Sequence, residues 1–567
     1  MGKENKKIVV IGGVAGGASF AARMRRVDEY AQIVMFEKGQ YISFANCGMP
    51  YHIGQVIEHR KELVLQTPQS FSNRFAVEVR VDSEVIAVDT EKKRVRVKHG
   101  NREYYESYDY LVLSPGASPI LPDLAGMDSK RVFTLRTLHD MDRIKNYIDS
   151  SELRDSIVVG GGFIGLEMAE NLSKRGIKVS LIEASGQLFA PADSDIATSV
   201  TEHLEQHGID VHLHSAVQSF FPCDSGKYGV KLKNNTELQA DMVILAIGVK
   251  PDTDFLKGSS VQLSQRGAIK VDEQLKTSVP DVFAVGDAIE STDLISKTKT
   301  HIPLAGPANR QGRIVADRIA GIESVYHHTQ GTAICKIFGL TIAVTGINEK
   351  KAAMLGIEYL KSYSYSPNHA SYYPGAQGMS IKILFSPQNG TILGAQIAGA
   401  EGVDKRIDLL AMAVRHKLTV NDLCDLELAY APPYGSARDP VNTAGFIAQN
   451  IITGIMPVCY AEQIPELIEK GYELLDVRTQ REVRRGTIMG AKNIELDQLR
   501  ERIEELDQGK NIIVFCEVGL RGHVAVRILL QNGFNAFNLS GGFKVYKMHN
   551  KELFSGTQAK ASTYTAV

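Results

Sequence analysis

Residues Lys7–Gly17 read KIVVIGGVAGG and residues Ser156–Gly165 read SIVVGGGFIG, and this repetition constrains the fold more than any other feature of the chain. Each is a short β-branched run that ends in glycines and leads into a helical pattern. Beyond each helix lies a second strand-like run closing on an acid, QIVMFE with Glu37 and KVSLIE with Glu183. That is one strand–helix–strand nucleotide-binding unit used twice. In the second copy Gly160, Gly162 and Gly165 fit GxGxxG in full. The first turns the chain, the second admits a pyrophosphate against backbone N–H groups, and the third lets helix and strand close up. In the first copy Gly12 and Gly17 fit, Val14 stands at the middle position, and Gly13 and Gly16 lend the turn compensating freedom. Glu37 and Glu183 sit where a carboxylate accepts hydrogen bonds from ribose hydroxyls. Glu183 favours NADH because it repels a 2′-phosphate, while Lys178 and Ser185 nearby leave NADPH open.

The 567 residues suffice for three or four domains. A net charge of −1 excludes a broad attraction to nucleic acid or an anionic membrane. No apolar run approaches ~18 residues, so no membrane span is expected. MGKENKKIVVIGG runs straight into a strand rather than forming a secretory leader. The six cysteines, Cys47, Cys223, Cys335, Cys424, Cys459 and Cys516, are scattered, with no CxxC pair and no zinc-like spacing. That points to a reducing, cytoplasmic setting and to no metal site. From about Gly331 the texture becomes that of an antiparallel sheet followed by helices. ELLDVR, an amphipathic helix near Leu496–Leu506, NIIVFCEVGLRG and a closing helix then form a last compact α/β unit.

The segment TSVPDVFAVGDA resembles the second FAD motif of two-dinucleotide flavoproteins, in which the aspartate after VG contacts the ribityl chain; here that is Asp287. The resemblance implies FAD in the first unit and NAD(P)H in the second. After Glu37 the chain reads KGQYISFANCGMPYHIG. Glutathione- and lipoamide-type disulfide reductases carry CxxxxC at this point, but here Ile42 replaces the first cysteine and Cys47 stands alone. A single cysteine closes no internal disulfide, so its oxidised form is a mixed disulfide, a persulfide or a sulfenic acid. Cys47 is expected to open a helix, whose dipole would lower the thiol pKa.

SFANCGMPY resembles the coenzyme A disulfide reductase branch of the single-cysteine flavoproteins. HASYYPG and ELAYAPPYGSARDPVN extend the match, which covers roughly residues 7–450. The resemblance implies a homodimer in which Tyr372 and Tyr430 reach the partner subunit's active site. It also implies that NADH reduces FAD, which passes electrons to a sulfur held on Cys47. Tyrosine hydroxyls would donate to the departing thiolate. Ser43 and Asn46 are candidates to position thiol and substrate. Arg23 and Arg26 share a helix face and could hold coenzyme A phosphates, whereas Arg25 is expected on a solvated face.

LLDVR, with Asp476 and Arg478, and the loop from Cys516 to Arg521 resemble a single-domain rhodanese. Successive N–H groups in such a loop cradle an anion, here a thiolate or persulfide on Cys516, and Arg521 adds charge. Asp476 and Arg478 are expected to organise the loop from below. The whole chain is therefore expected to be α/β. It would contain two Rossmann-like, glutathione-reductase-like dinucleotide-binding domains, with FAD held by residues 1–120 and 275–325 and NAD(P)H by 121–274. An α+β dimerisation domain (326–453), a linker (454–461), a rhodanese domain (462–550) and a disordered tail (551–567) follow. Fusing the two modules suggests a reductase for coenzyme A persulfide, polysulfide or coenzyme A disulfide, in which Cys516 moves sulfane sulfur and hydrosulfide is released. Three alternatives remain: a coenzyme A disulfide reductase with an independent sulfurtransferase, an NADH peroxidase or oxidase, or a rhodanese fold that only docks a partner or senses sulfur, which would need an inert Cys516.

Overall fold

The computed structural model describes residues 6–128, 130–550 and 553. Apart from Leu553, the expected disordered tail lies outside the described residues. The chain forms two compact units, Met1–Leu188 with Leu204–Thr329 and Phe189–His203 with Gln330–Val567.

In the first unit the sequence repeat becomes an architectural repeat. Strand Lys7–Ile11 runs parallel to Gln32–Phe36 on one side and Tyr110–Leu113 on the other, with Val282–Ala284 and Glu78–Arg80 at the edges. Strand Asp155–Val159 lies in the same way between Lys178–Ile182 and Met242–Leu245, with Asp210–His212 and Val132–Phe133 outermost. The central strands are β-branched and buried, as strands covered on both faces must be. Each glycine turn leaves the carboxyl end of a strand whose neighbours connect in opposite directions, which is where an open parallel sheet forms a crevice.

Helix Ala15–Val27 packs along helix Ala305–Ile319. A Cβ on Gly312 would fall 2.3 Å from the Gly16 oxygen, so glycine permits this approach. Arg23 spans the same contact to Asp317 at 2.7 Å. Arg25 is buried, contrary to the solvated face expected for it. Its guanidinium donates to the carbonyls of Phe75, Asp28, Ala31 and Ala76. Helical spacing cannot reveal that two loops return over that position.

In the second unit, strands Ala333–Ile337, Leu340–Gly346, Ile392–Gly399, Gly378–Phe385 and Leu360–Pro367 form an antiparallel sheet in that order. A five-stranded parallel sheet follows, ordered Val458–Cys459, Asn535–Leu539, Asn511–Phe515, Glu473–Asp476 and Lys492–Asn493. The stretch 454–461 therefore contributes an edge strand, with Cys459 buried, rather than acting only as a linker. Leu496–Gln498 and Ile503–Glu505 are 3-10 turns where a helix was expected. Leu499 and Leu506 still face the core, because turns of three residues satisfy the same apolar spacing.

The segment Phe189–His203, expected within residues 121–274, belongs to this second unit. The cause is Lys382, whose side chain is 0% exposed and whose ammonium lies 2.9 Å from Asp193 and 2.8 Å from Asp195. Glu349 completes the ring around the same ammonium. These three carboxylates converge as metal ligands would, but the Lys382 ammonium already sits among them. Lys361 bonds Glu349 at 2.8 Å and Glu462 at 2.6 Å, joining the antiparallel sheet to the start of the last α/β module. Among the described residues, no helix is long and apolar enough to cross a membrane.

Candidate active sites

The glycine turns have the geometry their spacing implies. Gly12 and Gly160 adopt φ of +93° and +110°. A Cβ on Gly17 would lie 1.9 Å from the Gly12 oxygen, and one on Gly165 would lie 1.8 Å from the Gly160 oxygen. A Cβ on Gly162 would meet nothing within 4 Å, the open space that a pyrophosphate requires. Helices Ala15–Val27 and Phe163–Lys174 start without a side-chain cap, whereas Thr137 caps the helix Leu138–Ser150. Their first N–H groups are thus left for an anion.

Glu37 accepts from the N–H groups of Gly13 (3.0 Å) and Gly39 (2.9 Å), and Glu183 accepts from Gly161 (2.8 Å) and Ser185 (2.7 Å). Each acid braces its own turn. Burial pushes the Glu37 pKa up, against the pull of those N–H groups. Glu37 also walls a cavity of about 320 Å³ with Gly12, Phe36, Lys38, Val85 and Pro115. Cradle, cavity and uncapped helix together fit a bound dinucleotide. Asp287 forms an ion pair with Arg136 at 3.0 Å, and its carbonyl accepts from His301 Nε2 at 2.6 Å.

Cys47 lies in the 3-10 turn Asn46–Gly48, directly before the short helix Met49–Ile53, and is solvent-accessible. Its backbone N–H donates to Asn46 Oδ1 at 3.1 Å, so Asn46 orients the turn. Ser43 adopts φ +46° and donates its N–H to the Gly13 carbonyl at 2.9 Å, which ties the cysteine segment to the first glycine turn. Ile42 is fully buried where a second thiol would have stood. The expected lowering of the thiol pKa is not what this environment produces. Surrounding protein raises it, the carboxylates of Glu167 and Asp287 add to the rise, and Arg136 opposes. A three-residue turn supplies too little helix to outweigh burial and two carboxylates. Glu167 and Arg136 were not legible in the sequence. Burial lifts Glu167 to about 7 despite a hydrogen bond from the Tyr51 hydroxyl at 3.4 Å. Of the two candidate phosphate ligands, Arg23 is spent on Asp317 and Arg26 remains exposed.

Tyr372 and Tyr430, 58 residues apart, share a 2.7 Å hydrogen bond between their hydroxyls. Both rings are exposed, as is that of Tyr434.

Cys516 closes strand Asn511–Phe515, and its sulfur accepts the Gly519 N–H at 3.1 Å. Gly519 adopts φ +103°, which folds the loop back over the sulfur. Phe543 N–H donates to the Cys516 carbonyl (2.8 Å) and Lys544 N–H to that of Glu517 (2.9 Å). From beneath, Arg478 bonds Asp476 at 2.7 Å, the Gly486 carbonyl at 2.9 Å and Glu517 at 3.1 Å, the organising role expected of this pair. Arg521 forks onto Glu482 at 2.8 and 2.5 Å and also approaches the Cys516 sulfur. That fork holds the Glu482 carboxyl at about 2. The sequence had suggested Arg521 alone; Glu482, its counter-charge, was missed.

Family models match residues 6–312 (pyridine nucleotide-disulphide oxidoreductase), 332–440 (the dimerisation domain of that family) and 460–549 (rhodanese-like domain). A coenzyme A disulfide reductase of Staphylococcus haemolyticus (strain JCSC1435) is 36% identical over 449 residues, 79% of this chain and 100% of that protein. The solved structure of reduced Bacillus anthracis CoADR-RHD superposes with a TM-score of 0.94 at 47% identity, covering 97% of this chain and 99% of that one. A NAD-dependent persulfide reductase from A. fulgidus superposes at 0.89 with 33% identity, covering 95% and 100%.

Proposed function

This chain belongs to the pyridine nucleotide-disulphide oxidoreductase family, with a rhodanese-like domain joined behind it, and on that footing we propose that it is a flavoprotein reductase of sulfane sulfur. Its substrates are coenzyme A persulfide, polysulfide or coenzyme A disulfide, and its electrons come from NADH or NADPH. One observation carries this: a lone accessible Cys47, with buried Ile42 in place of a second thiol, shares a chain with Cys516 in a loop whose Gly519 N–H turns onto its sulfur.

FAD, when bound, would supply two-electron exchange between nicotinamide and sulfur. Gly12, Gly13, Gly16, Gly17, Glu37 and Asp287 would hold it, and Gly160, Gly162, Gly165 and Glu183 would hold the nicotinamide dinucleotide. Cys47, as thiolate, attacks the outer sulfur of a persulfide; the S–S bond breaks and coenzyme A thiolate leaves. The new S–S bond on Cys47 then takes two electrons and a proton from NAD(P)H, releasing hydrosulfide and restoring the thiolate. Asn46 and Ser43 hold the turn that presents the sulfur. Tyr372 and Tyr430 donate to the departing thiolate of the partner subunit's site in a homodimer. Arg26, and Arg23 to the extent Asp317 releases it, meet coenzyme A phosphates. Cys516, with Arg521 beside it, delivers or accepts the sulfane sulfur. The enzyme works in the cytoplasm.

The test is anaerobic NADH consumption with coenzyme A persulfide, coenzyme A disulfide, polysulfide and peroxide, on the wild type, Cys47→Ser and Cys516→Ser. Loss of all reduction in Cys47→Ser, and selective loss of persulfide or polysulfide turnover in Cys516→Ser, are the expected results. Unaltered rates in Cys516→Ser leave coenzyme A disulfide as the substrate and an independent sulfurtransferase. Full persulfide activity in Cys47→Ser refutes the central assignment.

A further inference from the structure

Two carboxylates flank the Cys516 loop, and each is already paired with a cation. Glu482 takes both terminal nitrogens of Arg521, at 2.8 and 2.5 Å. The same guanidinium reaches the Cys516 sulfur, so one arginine faces a carboxylate and the reacting atom at once. Glu517, the residue after Cys516, lies 3.1 Å from Arg478 and 3.9 Å from Lys547. Arg478 is shared with Asp476 at 2.7 Å. Arg481, Arg484 and Arg485, beside Glu482 in sequence, are exposed, and charges open to water are screened by salt.

A loop that draws in a dianion needs cations in excess of its carboxylates. Here Glu482 cancels the charge that Arg521 would offer. The cancellation is constant, because the fork holds the Glu482 carboxyl at about 2 and keeps it ionised at neutral pH. The rim is also apolar in part. Leu520 and Val524, one turn apart in the helix Leu520–Gln531, are both exposed. What remains for a donor is the Gly519 N–H that turns onto the Cys516 sulfur, an arginine already neutralised, and an apolar lip. That set suits a sulfur of low charge at the end of an organic chain.

We propose that Glu482 selects the sulfur donor at Cys516: by occupying Arg521 it favours an organic persulfide, with at most one negative charge at the reacting sulfurs, and disfavours dianionic thiosulfate. This deepens the function proposed above and rests on it. Coenzyme A persulfide fits the class, since its phosphates lie at the far end of a long arm. The chemistry is the same for every donor. The Cys516 thiolate attacks the outer sulfur and a new S–S bond forms. The S–S bond of the donor breaks, and its electron pair leaves with the inner sulfur, as a thiolate from a persulfide or as sulfite from thiosulfate. Cys516 is left as a persulfide, and no outside oxidant or reductant is needed. Glu482 touches neither donor nor sulfur in this scheme; it acts through Arg521.

The experiment uses the full chain carrying Cys47→Ser, so that Cys516 alone accepts sulfur. Transfer to cyanide is measured as kcat/KM for two donors of like chemistry, thiosulfate (two charges) and methanethiosulfonate (one charge). Glu482→Gln removes the charge and keeps an oxygen for Thr479, whose N–H and hydroxyl bond Glu482 at 3.0 and 2.8 Å. It should raise kcat/KM ~10-fold for thiosulfate and ~3-fold for methanethiosulfonate, because the logarithm of a Coulombic gain scales with donor charge. Both gains should shrink at high salt. Adding Arg521→Gln restores the original charge balance and should abolish the gain. Thr479→Ala breaks the same bonds without changing charge and should give no gain. Should Glu482→Gln fail thermal unfolding, Glu517→Gln decides the matter, since it removes the other carboxylate and should give a gain ordered in the same way. A loss, or an equal change for both donors, overturns the inference alone, as does a gain that survives Arg521→Gln. A parent that takes sulfur onto Cys516 from neither donor, nor from coenzyme A persulfide, overturns it together with the proposed function.

Discussion

Gly542 offers the sharpest test of how the Cys516 loop is built. It adopts φ +62°, and a Cβ there would stand 2.4 Å from the Cys516 carbonyl oxygen and 2.8 Å from the carbonyl carbon and oxygen of Glu517. Both contacts are with backbone, which cannot swing aside as a side chain can. Gly542→Ala thus incurs about 1–2 kcal/mol for the left-handed conformation. It also disrupts the two loop bonds from Phe543 and Lys544, each worth about 1 kcal/mol. A local cost of about 3–4 kcal/mol is below the usual stability of a domain, so the protein folds and the loop moves. A displacement of about 1 Å at a reacting sulfur is enough for a ~100-fold loss. The assay is sulfur transfer from thiosulfate to cyanide, run beside NADH-dependent coenzyme A disulfide reduction in the same preparation. Transfer should fall ~100-fold and reduction should hold. Gly490→Ala is the control, because Gly490 has φ +84° and nothing within 4 Å of a Cβ, so it isolates the conformational cost. If Gly542→Ala transfers sulfur within ~3-fold of Gly490→Ala, the loop is not held by this contact.

Gly162→Ala fills open space, so the protein should fold normally and keep its flavin while the KM for NADH rises ~10-fold; Gly165→Ala, with its Cβ 1.8 Å from the Gly160 oxygen, should instead lower the melting temperature. An unchanged KM in the first variant removes Gly162 from the pyrophosphate site. Lys382→Met strands Asp193, Asp195 and Glu349 without their cation and should cost about 3–5 kcal/mol in denaturant unfolding. Burial would raise the Glu349 pKa, but Lys382 and Lys361 hold it at about 2, below its ordinary 4.5. Its stabilising share is therefore complete above pH ~4.5 and is lost as pH falls toward 2, on the order of 3 kcal/mol, and acid unfolding of wild type against Glu349→Gln measures it. Glu167→Gln removes a carboxylate that raises the Cys47 thiol pKa, so the pH midpoint of Cys47 alkylation should move down; an upward move would mean that Glu167 supports the thiolate.

The sequence by itself determined whatever depends on neighbours along the chain. Two glycine turns announce two dinucleotide cradles because turn, strand and helix lie within a few residues of one another. Ile42 before Cys47 excludes an internal disulfide, and the six residues from Cys516 to Arg521 suffice to read an anion-holding loop. Tertiary structure decided the charges and contacts around those motifs, because they join residues far apart in sequence. Burial first, then the carboxylates of Glu167 and Asp287, raise the Cys47 thiol pKa against the pull of Arg136 and reverse the shift expected from its local turn. Asp193 and Asp195 draw Phe189–His203 into the second unit because a buried ammonium at Lys382 cannot go without counter-charge. Glu482 tempers Arg521 from 39 residues away, and Gly542 fits against the Cys516 carbonyl only once the last strand has folded back beside it. Backbone geometry is a local property, whereas electrostatic neutralisation and close packing become definite only when distant segments meet.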